Sequence, residues 1–229
     1  MADRLASFFI QPNIIPMRYA TALAALLVGH FGIAQSSTLK PVAVKYMVRG
    51  YFYASSQGPA ELNGHGGWGR SSNGSARFIP SAGAIGLQVL VDTSSVVPLD
   101  SLHEGRRVTV RNNGPDTIYF PAQDSRLYMK AQAKQGGVFR DIEYLPSSWC
   151  GNSYHMLFLA SGEQWQFVMP NYSGPLKTSL RLELAYRTTA EGDDEKLLYS
   201  HPFPGSVHPK QFSEKKEYQP GGLMDPYND

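Results

Sequence analysis

The chain of 229 residues has one cysteine, Cys150, and few charged side chains. A single cysteine excludes an intramolecular disulfide and any site that needs several thiolate ligands. Charged residues make up 17% of the sequence, below the usual quarter, and 21 Lys and Arg nearly balance 19 Asp and Glu. The formal charge of +2 therefore gives no electrostatic case for a nucleic-acid partner.

The amino-terminal apolar run is too short for a membrane-spanning helix, which needs ~20 apolar residues. The run covers residues 20–34, follows Arg18 and ends at Ala34. A positive start, a short apolar stretch and small residues at its end are the three parts of a signal peptide. We therefore expect a signal peptide at residues 1–34, with Met17 as an alternative start. The mature protein is predicted to be secreted or periplasmic, without a transmembrane anchor.

The absence of disulfides in an exported domain of this size favours a bacterial source. A mature portion of this length is enough for one core of sandwich size. The 13 Tyr, 11 Phe, 22 Gly and 16 Pro favour strands and turns over long helices.

Period-two alternation is the main structural signal in the mature chain. In residues 177–187, Leu180, Leu182 and Leu184 share one face, while Arg181 and Glu183 lie on the other. Similar runs occupy residues 42–53, 87–92, 107–111, 117–120, 126–132, 154–159, 164–169 and 196–200. Short alternating runs separated by Gly, Pro, Asn and Asp predict an all-β, antiparallel sandwich.

Two segments interrupt this pattern. Residues 55–86 are dense in Gly, Ser and Asn and predict a long Gly-rich excursion within the domain at 35–206. Residues 207–229 carry Pro, Gly and mixed charges without alternation, and we expect an extended or disordered tail there.

Three short motifs carry a resemblance to a known class of domain. They are VTVRNNGP at residues 108–115, LASGE at 159–163 and LRLELAY at 180–186. With them, residues 106–203 resemble the immunoglobulin-like domains of bacterial extracytoplasmic proteins. The resemblance implies an immunoglobulin-like sandwich and an extracytoplasmic location, and it implies no activity, because one sandwich fold hosts many functions.

Cys150 and His155 are the candidates for a metal site or a thiol nucleophile. A copper site of the cupredoxin type uses Cys, His and an axial Met, but Met156 directly follows His155. Adjacent residues of a strand point to opposite faces, which disfavours one metal held by both. A catalytic thiol also needs an orienting group and, commonly, a helix amino terminus, and the sequence predicts no helix here.

Aromatic residues are the candidates for ligand binding. Trp68 and Trp149 fall in predicted loops, and Tyr154 begins a predicted strand beside them. Flat aromatic rings suit the apolar faces of sugars, so these three residues predict a glycan site.

The sequence thus favours an exported, non-catalytic sandwich with a binding or structural role. We expect no cofactor and no catalytic residue, and the expected partner is a glycan or another exported protein. Carbohydrate recognition by loop aromatics is one alternative, and a metal or thiol site at Cys150 and His155 is another.

Overall fold

The computed structural model describes residues 39–56, 71–80, 85–146 and 151–213. The predicted signal peptide, most of the Gly-rich excursion and residues 214–229 lie outside these ranges. Trp68, Trp149 and Cys150 also lie outside them.

The described residues are almost entirely strands and their connections. The first strands are β1 (Val48–Arg49), β2 (Ala76–Arg77), β3 (Leu87–Val91), β4 (Val97–Pro98), β5 (Glu104–Asn112), β6 (Ile118–Gln123), β7 (Arg126–Leu127) and β8 (Met129–Gln135). The others are β9 (Val138–Asp141), β10 (Glu143–Tyr144), β11 (Tyr154–Leu159), β12 (Glu163–Pro170), β13 (Leu176–Tyr186), β14 (Lys196–Tyr199) and β15 (Phe203–Val207). Two 3-10 turns, Gly151–Ser153 and Pro209–Phe212, are the helical elements of the described ranges, and neither is long enough to cross a membrane.

The all-β prediction is confirmed, and nearly all of the strand pairs are antiparallel. One sheet has the order β2-β12-β5-β3, with β4 also paired to β5. A second has the order β14-β13-β8-β9, and β15 pairs with the first half of β13. A third has the order β11-β6-β7, and β1 and β10 form a short parallel pair.

Inward-facing side chains from these sheets pack into one hydrophobic cluster. The alternation predicted for β13 is confirmed at Leu180, Leu182 and Leu184, which are all buried. Trp165 of β12 is fully buried and packs edge-to-face on Phe120 of β6, with ring centroids 5.0 Å apart. Aromatic pairs of this geometry stabilise a core beyond their burial alone.

Ordered structure continues past residue 207, where the sequence predicted the start of a tail. β15 ends at the buried Val207, and the 3-10 turn after it is capped by His208. The backbone N–H of His208 donates to Gln211 Oε1, while that of Lys210 donates to His208 Nδ1. These reciprocal bonds satisfy the otherwise unpaired groups at the start of the turn.

The described part of the Gly-rich excursion also contains a strand. β2 pairs with the beginning of β12, and the side-chain amide of Asn73 donates to the carbonyls of Tyr53 and Gln166. Hydrogen bonds from polar residues hold this segment on the sheet edge. A pattern of alternating apolar residues therefore could not predict this strand.

Candidate functional site

The sequence-predicted site residues are not brought together by the described structure. Tyr154 is 37% exposed at the start of β11, whereas His155 is buried and pairs with Ala122 of β6. Burial lowers the pKa of His155, whose Nδ1 lies 3.2 Å from the carbonyl oxygen of Ser153. Glycan binding through Tyr154 and the two loop tryptophans stays a prediction.

The described ranges hold no group of three or more His, Cys, Asp or Glu placed to bind a metal ion. The copper and thiol hypotheses for Cys150 stay untested because that residue lies outside the ranges.

A surface groove of about 450 Å³ is the candidate site that the structure does describe. It lies where the connection between β12 and β13 passes the start of β5 and the edge strand β15. Its lining residues are Pro41, Arg106, Asn171, Tyr172, Ser173, Lys177, Thr178, Pro204, Gly205 and Ser206. The volume falls in the range typical of small-molecule sites.

The connection from β12 to β13 builds one side of this groove. The backbone N–H of Val42 donates to the carbonyl of Asn171, and the N–H of Ser173 donates to the carbonyl of Val42. Gly174 passes so close to the backbone of Val207 that a Cβ on it would overlap that backbone. The connection is therefore held from both sides, which fixes the groove in place.

The guanidinium of Arg106 is positioned by two hydrogen bonds. Its Nε donates to Asn171 Oδ1 at 3.1 Å, and its Nη1 donates to the carbonyl of Thr93 at 3.2 Å. The Asn171 amide nitrogen in turn donates to Glu104 Oε1 at 2.8 Å. Asn171 thus stands between the cation and the nearby carboxylate, and it orients Arg106 without neutralising its charge.

Lys177 adds a second positive charge. Neither Lys177 nor Arg106 forms an ion pair with a carboxylate of the described residues. The remaining lining groups are neutral, and Ser173, Thr178 and Ser206 contribute hydroxyls. The groove therefore combines two uncompensated cations with several neutral hydrogen-bonding groups, a set that suits an anion bearing hydroxyls.

A buried acid and phenol lie beneath the groove. Tyr172 is 3% exposed, and its hydroxyl donates to Glu143 Oε1 of β10 at 2.6 Å. The other oxygen of Glu143 accepts from the backbone N–H of Ala131 at 2.9 Å. Burial raises the pKa of Glu143 to about 7, and burial also raises that of Tyr172 well above its usual value.

Sequence reasoning missed this site. The only local signal was the turn at residues 171–175, which has the composition of an ordinary loop. Arg106 and Lys177 belong to strands of different sheets, and alternation alone does not say which strands become neighbours.

A scan of the chain against protein-family models finds no match, and a search of curated proteins finds no significant relative. The case for a function therefore rests on the geometry of the groove.

Proposed function

We propose that the protein is an exported, non-catalytic β-sandwich of immunoglobulin-like character whose groove binds a ligand with an anionic group. The observation that carries this proposal is the pairing of Arg106 and Lys177 in one groove without a carboxylate partner among the described residues. Charge-assisted hydrogen bonds to an anion are stronger than bonds between neutral groups.

A binding role fits the lining residues better than a catalytic one. Among the described residues, the lining contains no His, Cys, Asp or Glu to serve as a general base or an activated nucleophile. The carboxyl of Glu143 is buried and does not line the groove. It accepts a hydrogen bond from the hydroxyl of Tyr172, which is a lining residue. The lining groups can therefore attract a ligand and orient it.

The sandwich assignment is supported by the core. The sheet containing β5 and β12 and the sheet containing β8 and β13 contribute inward side chains to the same hydrophobic cluster. Two antiparallel sheets that share one core are the basis of a sandwich. The export part of the proposal is supported by the signal-peptide pattern of residues 1–34.

The test is calorimetric titration of the mature protein with disaccharides that carry a carboxylate, sulfate or phosphate, beside neutral disaccharides of equal size. We expect at least one acidic disaccharide to bind and the neutral ones to bind at least tenfold more weakly. Arg106→Gln should weaken the acidic ligand about tenfold or more, because a charge-assisted hydrogen bond contributes about 1.5–3 kcal/mol.

Arg107→Gln is the matched control, because Arg107 is the next residue of β5, is exposed and does not line the groove. It should bind like the unmodified protein. Binding of no acidic ligand, or equal loss in both variants, would contradict the proposal.

A further inference from the structure

From Lys177 at the groove, a row of cations runs over the outer face of the neighbouring sheet. On β13 the even-numbered Leu180 and Leu182 point into the core, so Lys177 and Arg181 belong to the opposite, outward face. Lys134 of β8 follows Ala133, the register partner of Leu180, and its carbonyl accepts from Thr178 Oγ1 at 2.6 Å. Lys134 therefore lies beside the segment of β13 that joins Lys177 to Arg181.

Arg181 is held rigidly at the far end of this row. Its guanidinium lies 4.2 Å from the ring centroid of Phe139 and 3.8 Å from that of Tyr199. Its Nε donates to Gln132 Oε1 at 2.8 Å, and its two terminal nitrogens have no partner among the described residues. Stacking between two rings fixes the guanidinium plane and leaves the terminal N–H groups available.

The two nearest acids of this face, Asp141 and Glu183, share one cation, Lys130. Lys130 Nζ lies 2.7 Å from Asp141 and 3.3 Å from Glu183, and Gln132 donates to both carboxylates. By contrast, Arg106, Lys177, Lys134 and Arg181 form no ion pair with a described carboxylate. We call these four residues the basic track.

The spacing of the basic track suits a repeating polyanion. Lys177 and Arg181 are four residues apart on one strand, roughly 13 Å at about 3.3 Å per residue. Lys134 lies alongside this interval, and Arg106 and Lys177 both line the groove. Ser179 on the same face, with Thr178 and Ser206 in the groove, supplies hydroxyls between the cations.

We propose that the basic track binds a linear polysaccharide with a carboxylate on its repeating sugar, one unit in the groove and the chain continuing to Arg181. This inference rests on the proposed function, because it uses the groove as one end of the track. The hydroxyl groups between the cations match a hydroxyl-rich chain better than a polymer that is only charged.

Two other polyanions fit the surface less well. Single-stranded nucleic acid binds to aromatic faces on which its bases stack. Here the guanidinium of Arg181 covers one face of Phe139 and one face of Tyr199. An acidic peptide commonly binds by adding a strand to a sheet edge, whereas the track runs over the face of β13 and β8.

The test compares digalacturonate with a polygalacturonate oligomer long enough to cover the track, using the mature protein. We expect the oligomer to bind at least tenfold more tightly than the disaccharide. Lys134→Gln and Arg181→Gln should each lower the affinity for the oligomer several-fold and leave the affinity for digalacturonate unchanged. Arg106→Gln should lower the affinity for both ligands.

Arg140→Gln is the matched control, since Arg140 is exposed on β9 next to Phe139 and is outside the track. Methyl-esterified polygalacturonate should not bind, because it has the same backbone without the charges. Lys134 is exposed and its side chain has no partner among the residues that the structure describes, so its variant tests the track even if Arg181→Gln misfolds.

The inference is overturned if the oligomer binds no tighter than digalacturonate, or if Lys134→Gln and Arg181→Gln do not affect it. It is also overturned if polyglutamate or single-stranded DNA binds as tightly as the oligomer. In each case, digalacturonate binding that depends on Arg106 would leave the proposed function standing. Loss of every acidic disaccharide would remove both.

Discussion

The hydroxyl of Tyr172 donates a 2.6 Å hydrogen bond to the buried carboxyl of Glu143. Through this bond a residue that lines the groove is joined to a titratable group in the interior. The charge of Asp141 raises the pKa of Glu143 further, and Tyr51 raises that of Tyr172. Ionisation of Glu143 is therefore opposed by burial and by Asp141, and it is favoured by the hydrogen bonds from Tyr172 and from the backbone of Ala131.

Stability should fall as the pH rises through the titration of Glu143. Because the folded-state pKa of about 7 lies above the ordinary value of 4.5, the folded protein binds more protons than the unfolded chain between these values. The contribution is fully present below pH 4.5 and is lost as the pH approaches 7. At about 1.4 kcal/mol per pKa unit, the loss is at most about 3.5 kcal/mol.

Glu143→Gln isolates this effect. His155 has a lowered pKa and contributes in the opposite direction, so the quantity to follow is the difference in unfolding free energy between the two proteins. Urea unfolding is measured between pH 5 and 8 so that the exposed aspartates do not titrate in this range, because their pKa values are lowered. The advantage of the unmodified protein over the variant should shrink as the pH rises, and a constant difference would contradict the assignment.

Tyr172→Phe should raise the pKa of Glu143 further. The Tyr172 hydroxyl stabilises the ionised carboxylate, so its removal favours the protonated form. Carboxyl carbon NMR of labelled glutamate reports the midpoint directly. Tyr186→Phe, a half-buried tyrosine elsewhere in the core, is the control and should leave the midpoint in place. A midpoint that falls in Tyr172→Phe would refute this role.

Gly205→Ala should destabilise the protein. A Cβ at Gly205 would overlap the side chain of Leu180, so β15 must move away from β13 or Leu180 must change its rotamer. Overpacking of this kind typically costs about 1–3 kcal/mol. Gly151→Ala, with open space around the new methyl group, is the matched control in thermal unfolding. Equal melting temperatures for the two variants would contradict the close packing of this edge.

Asn171 should govern the affinity of the groove through Arg106. Asn171→Ala removes the acceptor that positions the guanidinium, and a few-fold loss of acidic disaccharide binding is expected. Asn171→Asp should lose more, because it places a negative charge beside Arg106 and Glu104. Tighter binding to Asn171→Asp than to Asn171→Ala in calorimetry would show that Arg106 does not act through its charge.

The strands could be predicted where burial alternates cleanly. Leu180, Leu182 and Leu184 repeat every second residue and are buried, and Trp165, within the alternating run at residues 164–169, is fully buried. Residues 139–145 alternate poorly, since they cross from the outer face at Phe139 to the buried Glu143. A carboxyl in the interior has no sequence signature that separates it from a surface carboxyl.

The groove and the basic track depend on register, which the sequence does not state. Arg181 meets Tyr199 because β14 pairs with β13 in one particular alignment, and it meets Phe139 because β13, β8 and β9 are aligned in turn. A shift of one residue in any of these pairs would face the side chains away from each other. The residues that the sequence did single out, Trp68, Trp149 and Cys150, lie outside the described ranges, and Tyr154 is not among the groove residues.

The most direct test of the groove is an NMR titration of the nitrogen-labelled protein with digalacturonate. The backbone amides of Ser173, Lys177 and Ser206 should shift with saturation, and a neutral disaccharide should leave them unmoved. Shifts centred on Tyr154 and His155 instead, or no saturable shifts with any acidic disaccharide, would contradict the assignment of the groove as the binding site.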